Sequence, residues 1–137
     1  MTHIKSKDYV LLAGKEPNII LNENPFEIYN KDVLSFLETL SIKLLSKDQK
    51  DRRYINFRGF GFWARRSNLE SLKRARKDLE IRFGRGPTLH IAPSNISANA
   101  LYTFAFGLLS GCPCIIRLSK RNIEELEAII ALINELL

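Results

Sequence analysis

The stretch Gly84–Ser119, GRGPTLHIAPSNISANALYTFAFGLLSGCPCIIRLS, decides how this chain is read. Thr88 to Ala92 is a short apolar run that reads as a strand. Pro93-Ser94-Asn95 closes it with a polar knot, and a helix opens at Ile96 or Ser97 and runs to about Leu109. Ser110-Gly111 ends that helix, and Cys114 to Leu118 reads as a second strand. Asn122-Ile123-Glu124-Glu125 has the spacing of a capping box and introduces a helix with Leu126, Ile129, Ile130, Ile133 and Leu137 at core positions. The order is β-α-β-α. Neither strand alternates cleanly between polar and apolar, which predicts a parallel sheet covered on both faces.

Upstream the pattern is less regular. Lys5 to Asn30 reads as an irregular or short-stranded leader. Asp32 is placed to cap a helix carrying Val33, Phe36, Leu37, Leu40 and Leu44 on one side. Ser67-Asn68-Leu69-Glu70 has capping-box spacing and predicts a helix burying Leu69, Leu72, Ala75, Leu79 and Phe83, ended by Gly84 and Gly86. Gly59-Phe60-Gly61-Phe62-Trp63-Ala64 satisfies G-x-G-x-x-A by spelling alone. A dinucleotide fingerprint needs a strand before it and a helix opening on its last residues, and this one has neither. Its aromatics are expected to plug a core or a domain contact.

Composition bounds the classes. A chain of 137 residues is one domain at most. The first residues show no secretory leader, and no apolar run approaches the roughly 18–20 residues that cross a bilayer. A cytoplasmic protein without a membrane span is expected. Cys112 and Cys114 flank Pro113, too tight for an ordinary disulfide, and read as buried thiols. His3 and His90 have no ligand spacing to them, so no metal is expected. The net charge of +6 is concentrated: Lys47 to Arg85 holds thirteen Lys or Arg against five Asp or Glu. A solvated face and an anionic partner both fit this excess, although no nucleic-acid-binding motif accompanies it.

The knot is where chemistry is expected. Ligands of open parallel sheets gather beyond the carboxyl ends of the strands, and free amides at a helix N-terminus favour negative charge. Asn95 offers a neutral donor there, either to a developing oxyanion or simply as a helix cap. Arg117, Ser119 and Lys120 end the second strand, beside the same crevice. Ser94 lacks a nucleophile elbow, and His90 reads as a packed histidine rather than a base.

The run LHIAPSNISANALYTFAFGLLSGCPCIIRLS, with FRGFGFWARRSNLESL upstream, resembles the long-chain acyl-CoA reductases. These include the fatty-acid reductase component of bacterial bioluminescence and belong to the aldehyde dehydrogenase superfamily. The resemblance implies an α/β fold, a partial Rossmann-like cofactor-binding domain of the aldehyde dehydrogenase type with an N-terminal helical and irregular region. Residues 1–86 would be that N-terminal part and residues 87–137 the first β-α-β-α unit of the nucleotide sheet. It also implies an oxidoreductase that converts long-chain acyl-CoA to fatty aldehyde with NADPH through a cysteine thioester. Asn95 matches the superfamily's oxyanion donor in Pro-Trp-Asn, with Ser94 in place of Trp. Pro93, Ser94, Arg117, Ser119 and Lys120 match cofactor-side positions, and Lys120 in place of an acid favours NADPH over NADH. Arg65 and Arg66 would face CoA or form structural ion pairs.

The family's nucleophile would lie in a catalytic domain outside this sequence, since Cys112 and Cys114 fall at the wrong end of the second strand. The chain alone is therefore expected to be inactive. It would need the missing C-terminal part or a complementary subunit; a non-catalytic remnant and a basic anion- or nucleic-acid-binding module are the alternatives.

Overall fold

A computed structural model describes residues 4–5, 9–76 and 81–137. Two short strands, β1 (Ile4–Lys5) and β2 (Val10–Leu11), form an antiparallel pair. A one-turn helix α1 (Pro17–Ile20) follows, and then α2 (Lys31–Leu45). Asn30, not Asp32, caps α2: its side chain accepts from the Asp32 amide at 2.8 Å. Asp32 instead places a negative charge in the first turn, where the helix dipole favours it. Of the expected stripe of α2, Leu37, Leu40 and Leu44 are buried and Val33 and Phe36 half-buried, while Leu34, not expected there, is buried with them.

A 3₁₀ turn at Ile55–Phe57 leads into α3 (Arg58–Trp63), and α4 (Arg66–Arg74) follows almost at once. The G-x-G-x-x-A spelling is thus largely helical, not a strand-to-helix phosphate loop. Phe60 and Trp63 stack on Tyr102, and Trp63 also on Phe106, all at 5.2–5.3 Å between ring centroids except the looser 5.9 Å between Phe60 and Trp63 themselves. That is the expected aromatic plug, while Phe62 stays outside. The Ser67–Glu70 capping box does not form. α4 starts two residues earlier, at Arg66 with Arg65 in the cap position, no side chain caps it, and Glu70 takes a 2.6 Å hydrogen bond from Arg66 Nε. The guanidinium one turn back outcompetes a neutral amide for the carboxylate. Of the expected core of α4 only Leu69 is buried; Leu72, Ala75 and Phe83 are exposed, and Leu79 lies outside the described residues.

The decisive stretch folds as β3 (Thr88–Ile91), α5 (Ala98–Leu109), β4 (Cys114–Arg117) and α6 (Lys120–Asn134). β3 and β4 are parallel neighbours, Thr88 opposite Cys114 and Ile91 opposite Arg117. The order of elements and the parallel pairing agree with the sequence; the architecture does not. Among the described residues the parallel sheet has two strands and remains open, in a domain dominated by helices. This corrects the expectation of a Rossmann-like cofactor domain of the aldehyde dehydrogenase fold. A nucleotide crevice in such folds lies between strands on either side of a topological switch point, and two adjacent strands make no switch point.

The second face of the sheet departs as well. α5 covers one face so closely that a Cβ on Gly107 would collide with Cys114 Sγ and stand 2.9 Å from His90 Nε2. On the opposite face Leu89 and Ile91 are 65% and 67% exposed. α6 lies against α2 instead, burying Leu126, Ile129, Ile130 and Leu132 in one core with Leu37, Leu40 and Leu101. Residues on both sides of position 86 therefore share that core. α6 ends before Leu137, which is exposed rather than at a core position.

At the amino ends of the strands, Gly84 and Gly111 meet backbone to backbone through Phe26. Phe26 N donates to Gly111 O at 2.9 Å and Gly84 N to Phe26 O at 3.0 Å. A Cβ on either glycine would strike the other chain segment, and Gly111 also holds φ 77°. Gly84 is thus a site of close backbone approach, beyond the end of α4 at Arg74.

Candidate functional site

At the carboxyl ends of β3 and β4 the two connections are sewn together by one buried amide. Asn122 is fully buried. Its Nδ2 donates to Pro93 O at 3.1 Å and to Ser97 Oγ at 3.0 Å. Its Oδ1 accepts from Ser119 Oγ at 2.8 Å and from Ser119 N at 3.2 Å, while Ser119 Oγ accepts from Asn122 N. The box that starts α6 is therefore Ser119 with Asn122, three residues upstream of the expected one. Ser119-x-x-Asn122 carried the signal in the sequence, since Asn can play the returning role usually given to Glu or Gln. Ser97, at the first turn of α5, also lowers the Glu125 carboxyl by hydrogen bonding, with Arg121 adding to the effect.

The expected site residues divide around this seam. Pro93 contributes its carbonyl and Ser119 its hydroxyl. Ser94 and Asn95 stand exposed on the loop with no side-chain partner among the described residues, and Asn95 does not cap α5. Arg117 and Lys120 are exposed at the end of β4. The seam therefore fixes the two strand-end loops and leaves Ser94 and Asn95 pointing at solvent.

The amino half of the sheet holds a second small cluster. Thr88 Oγ1 lies 3.0 Å from His90 Nε2 and 3.5 Å from Cys114 Sγ, all under Gly107. Burial pushes the Cys114 thiol up, against a smaller opposing hydrogen bond from Thr88. A protonated, half-buried thiol is a poor nucleophile. Cys112 is buried, both cysteines are free thiols, and His90 is packed against α5. No group of three or more potential metal ligands occurs among the described residues.

The basic region is partly self-neutralised. Arg53 pairs with Asp51 at 2.7 Å, and Arg66 with Glu70 at 2.6 Å. Arg65 stacks on the exposed Phe62 ring at 4.5 Å, with Arg58 at 5.9 Å. An open groove of about 410 Å³ beside Arg65 and Arg66 is lined by Glu38 and Glu70 as well, so it carries both signs.

What remains unsatisfied is the bare side of the parallel pair. Leu89 and Ile91 on β3 make an apolar strip facing solvent, flanked on β4 by half-buried Ile115 beside Leu89 and exposed Arg117 beside Ile91, and Ile96, just after the knot, is 51% exposed. Among the described residues no helix is long and apolar enough to cross a membrane.

Comparison with family models, with curated proteins and with solved structures finds no match to this chain. Together with the open, helix-dominated fold, this overturns the resemblance to the acyl-CoA reductases. The oxidoreductase and bioluminescence-type reading falls with it. The short motifs reproduced the local β-α-β-α course, which many sequences can encode, and not the sheet on which that chemistry depends.

Proposed function

We propose that this chain is a polypeptide-docking module, whose partner completes the β3–β4 sheet. The observation that carries the reading is the exposure of Leu89 and Ile91 on a parallel strand. Parallel sheets are stable when both faces are covered, and a two-stranded sheet is small for independent stability. Covering one such side chain fully contributes about 1.5–3 kcal/mol, so two neighbours suffice to select a partner surface. The seam below Pro93 supports the same reading, because Asn122 holds the strand ends rigid while the bare face stays open.

The test is a photo-crosslinking residue at position 91, in cells that make the protein, with position 39 on the exposed side of α2 as reference. A defined polypeptide crosslinked from 91 and not from 39, and displaced by added unlabelled chain, is the expected result. Crosslinks that are equally frequent from both positions would refute the docking reading.

A further inference from the structure

The docking reading names a surface; its occupant follows from the backbone of β3. We infer that a second copy of this chain pairs with β3, edge to edge and antiparallel, about a two-fold axis through His90. The inference rests on the docking reading and narrows it.

Thr88 N donates to Pro113 O at 2.8 Å and Ala92 N to Arg117 O at 3.0 Å. In a parallel ladder, alternate residues turn both backbone groups to the same neighbour. Thr88, His90 and Ala92 therefore face β4, and Leu89 and Ile91 direct their N–H and C=O to the outer edge. These are the same two residues whose side chains are exposed. The other strand is better guarded, because α1 packs against β4, whereas among the described residues β3 packs mainly on β4 and α5.

Solitary edge strands are normally blunted by a charge, a proline or a bulge. Thr88-Leu89-His90-Ile91 has none of these within it. Between Arg85 and Lys120, Arg117 alone carries a formal charge, in a chain of net charge +6. Two copies can thus approach with one repelling charge each near the contact, Arg117 beside Ile91 on β4, while the remaining excess lies elsewhere.

The prolines select the register. Pro87 and Pro93 lie three residues to either side of His90. A two-fold axis at His90 sets Leu89 opposite Ile91 of the second copy and Pro87 opposite its Pro93. Every outward N–H and C=O of Leu89 and Ile91 is then paired, and the ladder ends where neither copy has an amide to offer. Moving the axis to Leu89 or to Ile91 sets a proline against one of these carbonyls and removes its donor. In the His90 register the bare faces lie on the same side, so Leu89 and Ile91 of both copies form one apolar strip across a four-stranded sheet.

Sedimentation velocity over a wide concentration range, with amide hydrogen exchange on the same samples, tests this. A dimer is expected, with exchange at Leu89 and Ile91 slowing about tenfold or more as it forms, the change that ~1.4 kcal/mol produces. His90 and Ala92, already bonded to β4, should not respond. Ile91→Lys should abolish the dimer, and Leu89→Pro, which deletes an outward amide that an edge strand can spare, should weaken it; circular dichroism checks that each variant keeps its helices. A monomer at every concentration, or a dimer with unchanged exchange at Leu89 and Ile91, overturns the inference. Binding of anilinonaphthalene sulfonate separates the two levels. If the chain stays monomeric yet Leu89→Lys removes dye binding, the second copy is excluded and the docking face stands. If dye binding is also indifferent to Leu89, the docking reading falls with it.

Discussion

Asn122 Nδ2 donates to Pro93 O at 3.1 Å, joining the first turn of α6 to the loop two residues beyond the end of β3. The two residues are 29 apart in sequence, and the amide between them is fully buried. Replacing Asn122 by Leu leaves Pro93 O and Ser97 Oγ without their donor inside the protein. Ser97 is buried whereas Pro93 is exposed, and one unsatisfied buried group costs about 1–3 kcal/mol, so Asn122→Leu is expected to lower stability by about that much in urea unfolding. Ser119→Ala removes the cap and one of the two donors to Asn122 Oδ1 and should cost about 1–2 kcal/mol. Equal and negligible effects from both would show that the seam carries no stability.

Gly107 sets the distance between α5 and the sheet. Gly107→Ala forces a Cβ against Cys114 Sγ and His90 Nε2 and should destabilise by about 1–3 kcal/mol, as overpacking does. Gly59 provides the contrast, since a Cβ there would meet Tyr102 Oη at an ordinary 3.8 Å. Gly59→Ala, in α3, should be neutral or stabilise by up to about 1 kcal/mol through helix propensity. Thermal unfolding of the two variants side by side reads the difference.

Acid should loosen the contact between α2 and α6. A hydrogen bond from Lys43 holds the Glu135 carboxyl below the usual carboxylate range, at an N–O distance of 2.8 Å. A depressed carboxylate contributes stability above its unfolded value, and that contribution disappears as pH falls through the folded value. The pair is exposed, so the effect is small and screened by salt. Glu135→Gln should flatten the decline in melting temperature below about pH 4.3, the ordinary glutamate range, and added salt should do the same to the parent chain.

Both thiols should react slowly with a disulfide reagent at neutral pH. Burial raises Cys114 and encloses Cys112, which reduces thiolate and access together. The rate should rise sharply in denaturant; fast reaction of the folded chain would place one thiol outside the core.

The local course of the chain was legible because its signals are local. The apolar runs at Thr88 and Cys114, the Ser110-Gly111 stop and the Leu37, Leu40, Leu44 stripe each mark an element within a few residues of their own. The helix starts were less so. Asp32, Ser67 and Asn122 all have cap chemistry, yet the caps are Asn30 and Ser119, and Glu70 is taken by Arg66. Several residues near each boundary can satisfy the same amides, and side-chain competition chooses among them. The candidate site escaped the sequence more completely. Apolar runs without alternation predict strands covered twice, and nothing in Leu89 or Ile91 says that one cover is missing.

Sequence by itself determined that Thr88–Ile91 and Cys114–Arg117 are extended, that a helix separates them and that they run parallel, because periodicity, glycine stops and a short helical crossover act over neighbouring residues. Tertiary structure alone decided which faces those strands show. α5 settled on one side through Gly107, and α6 turned to the Leu37–Leu40 side of α2, where its stripe of Leu126 and Ile129 found a deeper core. A helix has one apolar face to bury, and by burying it against α2 it left Leu89 and Ile91 in water.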